Sequence, residues 1–134
     1  MSRDNVELVR RAHHAAMKGD LEPFIATLAP DVVWDTSRSP FPEARIYHGI
    51  DGVREWFREL GDAFDEEVRY EIEELRDLGD RVLLVLRAEA AGRSTKIGVD
   101  WRFVPVYTLR EGKVVRMDRY GDRAEALAAL GLSE

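Results

Sequence analysis

A chain of 134 residues, 45% apolar and 34% charged, has the size and composition of one domain around one core, and none of its apolar runs approaches the roughly 18 residues of a membrane span. Its formal charge of −6 argues against wrapping a phosphate backbone, which takes an excess of lysine and arginine, so nucleic acid and membrane are set aside as partners. The lack of cysteine removes disulfide and thiolate chemistry and fits a reducing, cytoplasmic location, and the charged start MSRDNVELVRR lacks the apolar core of an export signal.

Asp4 is placed to cap a first helix that runs to Met17, with Val6, Val9, His13 and Ala16 on its inward stripe and Gly19 as its stop. Asp20 is placed to cap a short second helix in which Leu21, Phe24, Ile25 and Leu28 share a stripe, and Pro30 ends it. Residues 31–35 (DVVWD) read as a strand, and the proline-bearing stretch 36–45 as a loop. Tyr47, His48 and Gly49 lead into a third helix capped by Asp51, where Val53, Trp56, Phe57, Leu60 and Phe64 keep helical spacing.

Beyond this point the period becomes two. Val68, Tyr70 and Ile72 alternate with Arg69, Glu71 and Glu73, a turn at residues 78–81 leads into the strand VLLVLRAEA, and Arg93, Ser94 and Thr95 sit at the next turn. Residues 99–120 (VDWRFVPVYTLREGKVVRMDRY) form two long strands about a tight turn at 110–113, where Gly112 supplies the positive backbone angle of a short hairpin. Asp122 caps a last helix over residues 123–130, closed by Gly131. Four consecutive antiparallel strands with amphipathic helices on one face predict an α+β cone, a strongly curved sheet with a cavity at its wide end, as a single domain over 1–134.

Alternation puts Trp101, Phe103, Pro105, Tyr107 and Leu109 on one wide aromatic face, continued on the next strand by Val115, Met117 and Arg119, with Val114, Arg116, Asp118 and Tyr120 behind. Such a wall suits a small apolar molecule, and Tyr47, Trp56, Tyr70, Trp101, Phe103, Tyr107 and Met117 are the expected contacts, or else simply core. Asp35, sharing parity with Val33, is expected to face the cavity as a proton acceptor, against the plainer reading of a strand-end carboxylate in water. His13, on an apolar stripe, either shares a proton with Asp35 or is a hydrogen-bonded core histidine. Arg119 either binds a ligand carboxylate or phenolate or pairs with Asp35. Three histidines without paired ligand spacing give no reason to expect a metal, and this chemistry requires no cofactor. Val104 and Val106, behind the aromatic face, need cover, and a homodimer on the convex face of the sheet is expected to supply it.

The pieces GDLEPFIATLAPDVVW, HGIDGVREWF and YTLREGKVVRMDRYGDRAEALAALGL resemble, in that order, the SnoaL-like polyketide-cyclase-type proteins of the nuclear transport factor 2-like superfamily. The resemblance implies the same cone with a deep pocket, often dimeric through the convex face, but no single reaction, because the superfamily spans isomerases, epoxide hydrolases, cyclases, dehydratases and non-catalytic proteins. It places Asp35 where ketosteroid isomerases keep their general-base aspartate, with Ala12 and Pro105 where those enzymes keep oxyanion donors. Asp100, Arg102 and Asp118 match the residue types of the Asp, Arg, Asp arrangement in limonene epoxide hydrolase, although the register that turns Trp101 and Phe103 inward turns this trio outward. The expected function is cofactor-independent proton transfer, hydration or isomerisation on an apolar ligand, with Asp35 as base and His13 or Arg119 stabilising charge. The alternatives are a non-catalytic carrier or sensor of an apolar metabolite and a pure dimerisation module.

Overall fold

The computed structural model describes residues 2–38, 44–63, 69–91 and 98–132. In chain order these form α1 (Ser2–Met17), α2 (Glu22–Ala26), β1 (Leu28–Asp35), β2 (Ile46–His48), α3 (Gly49–Ala63), β3 (Arg69–Asp77), β4 (Arg81–Ala91), β5 (Gly98–Arg110), β6 (Lys113–Tyr120) and α4 (Arg123–Ala129). Phe64, Val68, the turn at Arg93, Ser94 and Thr95, and the loop prolines Pro40 and Pro42 lie outside the described residues, as does the side chain of Leu60.

The strands make one curved, unclosed sheet in the order β2-β1-β6-β5-β4-β3. The last four strands pair antiparallel in succession, as their alternation predicts. β1, the strand expected at residues 31–35, joins by running parallel to β6, and β2 extends the edge, so the sheet is mixed and six-stranded, one strand more than the five read from the sequence. β2 escapes a sequence reading because three residues are too short to show a period. The hairpin turn is a two-residue one, Arg110 facing Lys113, with both Glu111 (φ 51°) and Gly112 (φ 76°) left-handed, matching the twist of the strands it joins.

On the concave side, α1 packs on β3 and β4, and α3 on β1 and β2, burying Val9, Ala12, Val53 and Trp56 against Val32, Trp34, Val82, Leu84 and Leu86. α1 begins before Asp4, which falls in its first turn. The second helix lacks the expected Asp20 cap and is shorter than its stripe suggests. Leu21 stands at its N-cap and Leu28 already belongs to β1, which runs through Pro30 where its pairing with β6 is irregular. α3 starts at Gly49 (φ 74°), two residues ahead of Asp51.

Two departures decide which side chains face the cavity. Between the pairs Thr108/Arg116 and Leu109/Val114, β6 carries one extra residue, Val115. This bulge returns Val114 to the inner face beside Met117 instead of leaving it behind. The second departure is α4, which was expected on the concave face with the other helices. It packs instead on the back of β5 and β6, where Ala126 and Leu127 join Leu83, Val85, Val104, Val106 and Tyr120 in a second core. The two valines behind the homodimer expectation are thereby covered from within one chain, at 1% and 2% exposure. Apolar residues on both faces of β4 and β5 follow from helices on both sides of the sheet.

Candidate functional site

The inner faces of β1, β5 and β6 meet α1 and α3 in an aromatic cluster. Ring centroids lie 5.7 Å apart for Phe24 and Trp34, 5.7 Å for Trp34 and Trp56, 4.7 Å for Trp56 and Phe57, and 5.9 Å for Trp34 and Tyr107. These rings, with Tyr70, Phe103 and Met117, surround a small cavity of about 30 Å³, space for about one or two water molecules.

Its polar members are few. His13, from the inward stripe of α1, and Tyr107, from the middle of β5, share a hydrogen bond of 2.7 Å between Nε2 and the hydroxyl oxygen. Burial, reinforced by the neighbouring His14, lowers the His13 pKa from 6.5 to about 4, so its imidazole is neutral at pH 7. Burial, with a smaller contribution from Tyr70, pushes the Tyr107 hydroxyl well above its ordinary value. The indole N–H groups of Trp34 and Trp56 are buried and have no hydrogen-bond partner among the described residues. Arg119 is 4% exposed on the same wall, its guanidinium 4.3 Å from the Phe103 ring centroid. His13 and Arg119 therefore both line the cavity, as do Trp56, Tyr70, Phe103, Tyr107 and Met117.

Asp35 lies elsewhere. It shares parity with Val33, as its position requires, but that parity belongs to the back of the sheet, while Trp34 points into the cavity. Its Oδ1 accepts from the Ser37 backbone N–H (3.0 Å) and hydroxyl (2.6 Å), and its Oδ2 accepts from Arg116 (3.3 Å). Burial pushes the Asp35 carboxyl up, but the Ser37 hydrogen bonds and the charges of Arg38 and Arg116 outweigh it and hold it below the usual range. The expected sharing of a proton between Asp35 and His13 across the cavity has no geometry to support it, because the sheet lies between them. Among the described residues no carboxylate lines the cavity.

Tyr47 is buried in the core beside the cavity, where its hydroxyl donates to Glu59 (2.7 Å) beneath the Arg45 guanidinium. Trp101 lines a neighbouring cleft. The Asp100, Arg102 and Asp118 trio faces outward, and its members pair separately: Asp100 with Arg87, Arg102 with Glu73 and Asp118 with Arg116. The sequence reading does not single out Trp34 or Phe24 for the cavity, although Phe24 had the signal of its helical stripe. Among the described residues no group of three or more His, Asp or Glu side chains is placed to share a metal ion, and no helix is long and apolar enough to cross a membrane.

A curved mixed sheet with helices over its hollow face and a cavity between them defines a protein of the nuclear transport factor 2-like class. Within that class the chain belongs to the SnoaL-like domain family, whose model matches residues 9–117. A nuclear transport factor 2-like protein of unknown function from Burkholderia pseudomallei is 26% identical, with a TM-score of 0.78 over 93% of this chain and 95% of its own. One from Burkholderia thailandensis is 25% identical, with a TM-score of 0.80 over 96% and 97%. A Jannaschia protein provisionally assigned as a SnoaL-like polyketide cyclase, 21% identical with a TM-score of 0.75 over 98% and 94%, shares the fold. No curated protein matches the chain in sequence.

Proposed function

We propose that the protein binds a small, mainly apolar molecule in the aromatic cavity, and that His13, hydrogen-bonded to Tyr107, is the group that exchanges protons with it. The observation that carries this reading is the hydrogen bond between His13 and Tyr107, set in a wall that is otherwise almost wholly apolar. A neutral imidazole is both a donor and an acceptor, and one held near a tyrosine hydroxyl can accept a proton and return it without a cofactor. Two buried indole N–H groups beside it, without an acceptor among the described residues, support a ligand in the same place, since buried donors without acceptors are uncommon. The family is compatible with isomerisation or cyclisation of this kind.

The cavity is small, so a ligand must displace side chains. Met17 and Met117, unbranched and polarizable, are the wall residues most able to yield. A second reading, a non-catalytic carrier, is favoured by one observation: Asp35, the expected base, is on the far side of the sheet and paired with Ser37 and Arg116. Mass spectrometry of molecules retained through native purification identifies the ligand, and turnover of that ligand by the parent and by His13→Gln separates the two readings. Turnover that vanishes in the variant while binding persists supports the proton-transfer reading. Binding without turnover in the parent leaves the carrier.

A further inference from the structure

Trp34 and Trp56 are 1% and 5% exposed, and the Nε1–H of each is buried without an acceptor among the described residues. One ring comes from β1 and the other from α3, their centroids are 5.7 Å apart, and both belong to the wall of the aromatic cavity. An indole N–H can only donate. Left unpaired in the interior, such a donor keeps the whole cost of its removal from water, so two of them side by side on one cavity wall are a standing demand for an acceptor.

Among the described residues this wall is short of acceptors. His13 and the Tyr107 hydroxyl are bonded to each other, and no carboxylate lines the cavity. The thioethers of Met17 and Met117 accept only weakly. The backbone of β1 is committed to the sheet on both edges, to β2 on one side and β6 on the other. An acceptor for the two indoles therefore has to arrive with the ligand.

We propose that Trp34 and Trp56 determine specificity by donating to an uncharged acceptor oxygen, of ketone, ester or ether type, on an otherwise apolar ligand. The assignment rests on the cavity reading given above and adds to it the polar group by which the ligand is held. A carbonyl oxygen has two lone pairs and brings no proton that would need an acceptor of its own. A carboxylate fits the pair less well, because a buried anion needs a cation and the indoles are neutral donors, while Arg119 on the same wall is already engaged over the Phe103 ring. Anchoring the oxygen at the indoles also fixes which part of the ligand lies against His13.

Acetophenone and α-methylstyrene share a shape and differ in an oxygen replaced by a methylene, so titrating the isotope-labelled full chain with each tests the assignment. Proton–nitrogen correlation spectra read it directly, since the chain has three tryptophans and hence three indole signals. Acetophenone should bind about ten-fold more tightly than the alkene and move at least one signal of the Trp34 and Trp56 pair downfield. The signal of Trp101, which lines the neighbouring cleft, serves as reference. Trp34→Phe and Trp56→Phe, which keep a ring and lose the donor, assign the signals and, where circular dichroism shows them folded, should reduce the preference for the ketone. Equal affinity for the two probes, no downfield movement beyond that caused by the alkene, or a preference that survives in both folded variants overturns the acceptor assignment and leaves the cavity reading standing. Failure of both probes to bind overturns the cavity reading and this assignment together.

Discussion

His13 Nε2 and the Tyr107 hydroxyl lie 2.7 Å apart between α1 and β5, and burial keeps both groups uncharged at neutral pH. The first prediction follows from the cost of charging His13. The unfolded chain takes up this proton near the ordinary histidine value of 6.5 and the folded chain only near 4, so between those values the unfolded state binds more protons. Stability is full above about pH 6.5 and falls as pH drops toward 4, by about 2 to 3 kcal/mol from this group. Urea titrations at about pH 7 and about pH 4.5 measure the drop. His13→Gln keeps a polar partner for Tyr107 but does not titrate, so its stability should vary far less over the same interval. Parallel losses in parent and variant would assign the effect to another group.

Asp35 holds Arg116 and Ser37 on the back of the sheet, so its replacement is expected to act on stability and not on the cavity. Asp35→Asn removes the negative charge opposite Arg116 and weakens the Ser37 hydrogen bonds, at a cost of about 1 to 2 kcal/mol. Ligand affinity at the aromatic cavity should not change. Thermal melts and titrations with the retained ligand check both halves, and weaker binding at unaltered stability would return Asp35 to the site.

The adjacent pair Trp34 and Asp35 shows why part of the site was illegible in the sequence. In DVVWD, Val32 and Trp34 have one parity and Val33 and Asp35 the other, and each parity contains a large apolar side chain. Alternation reveals a face only when one side meets water, and β1 is buried on both. The same ambiguity hides α4: RAEALAAL declares an apolar stripe but not which face of the sheet receives it. The bulge at Val115 leaves no trace in VVRMDRY, since a valine is as suitable inside the strand as at a bulge. By contrast, the succession of the last four strands, the hairpin at Gly112 and the inward turn of His13 were readable, because each depends on local spacing or local backbone chemistry alone.

Trp56 lies at the centre of the cluster, 5% exposed, between Trp34 and Phe57. Trp56→Ala should cost about 3 to 5 kcal/mol, since Trp34 is held by β1 and Phe57 by its own position on α3, and neither can collapse into the space. A loss under about 1 kcal/mol in urea titration would show that the cluster repacks freely. That result would also remove the argument that the cavity has a defined shape.

The last prediction concerns α4. Leu127 is 2% exposed and, with Ala126, caps the apolar strip formed by Leu83, Val85, Val104 and Val106. Leu127→Glu forces a choice between burying an unpaired carboxylate and lifting the helix off the sheet. Either outcome costs about 3 kcal/mol or more, and the second exposes two valines in the middle of β5. Exposed apolar strips on a sheet recruit further copies, so the variant should associate more strongly than the parent as concentration rises in sedimentation equilibrium. Asp122→Ala gives a milder test on the same helix. Asp122 accepts from the Glu125 N–H at 2.8 Å, and removing this N-cap should cost about 1 kcal/mol without placing a charge in the core. If Leu127→Glu matched the parent in both stability and mass, α4 would not be what covers this strip. The parent's own mass bears on a separate question: if it is a homodimer, the contact must use a surface other than Val104 and Val106, because α4 already occupies that place.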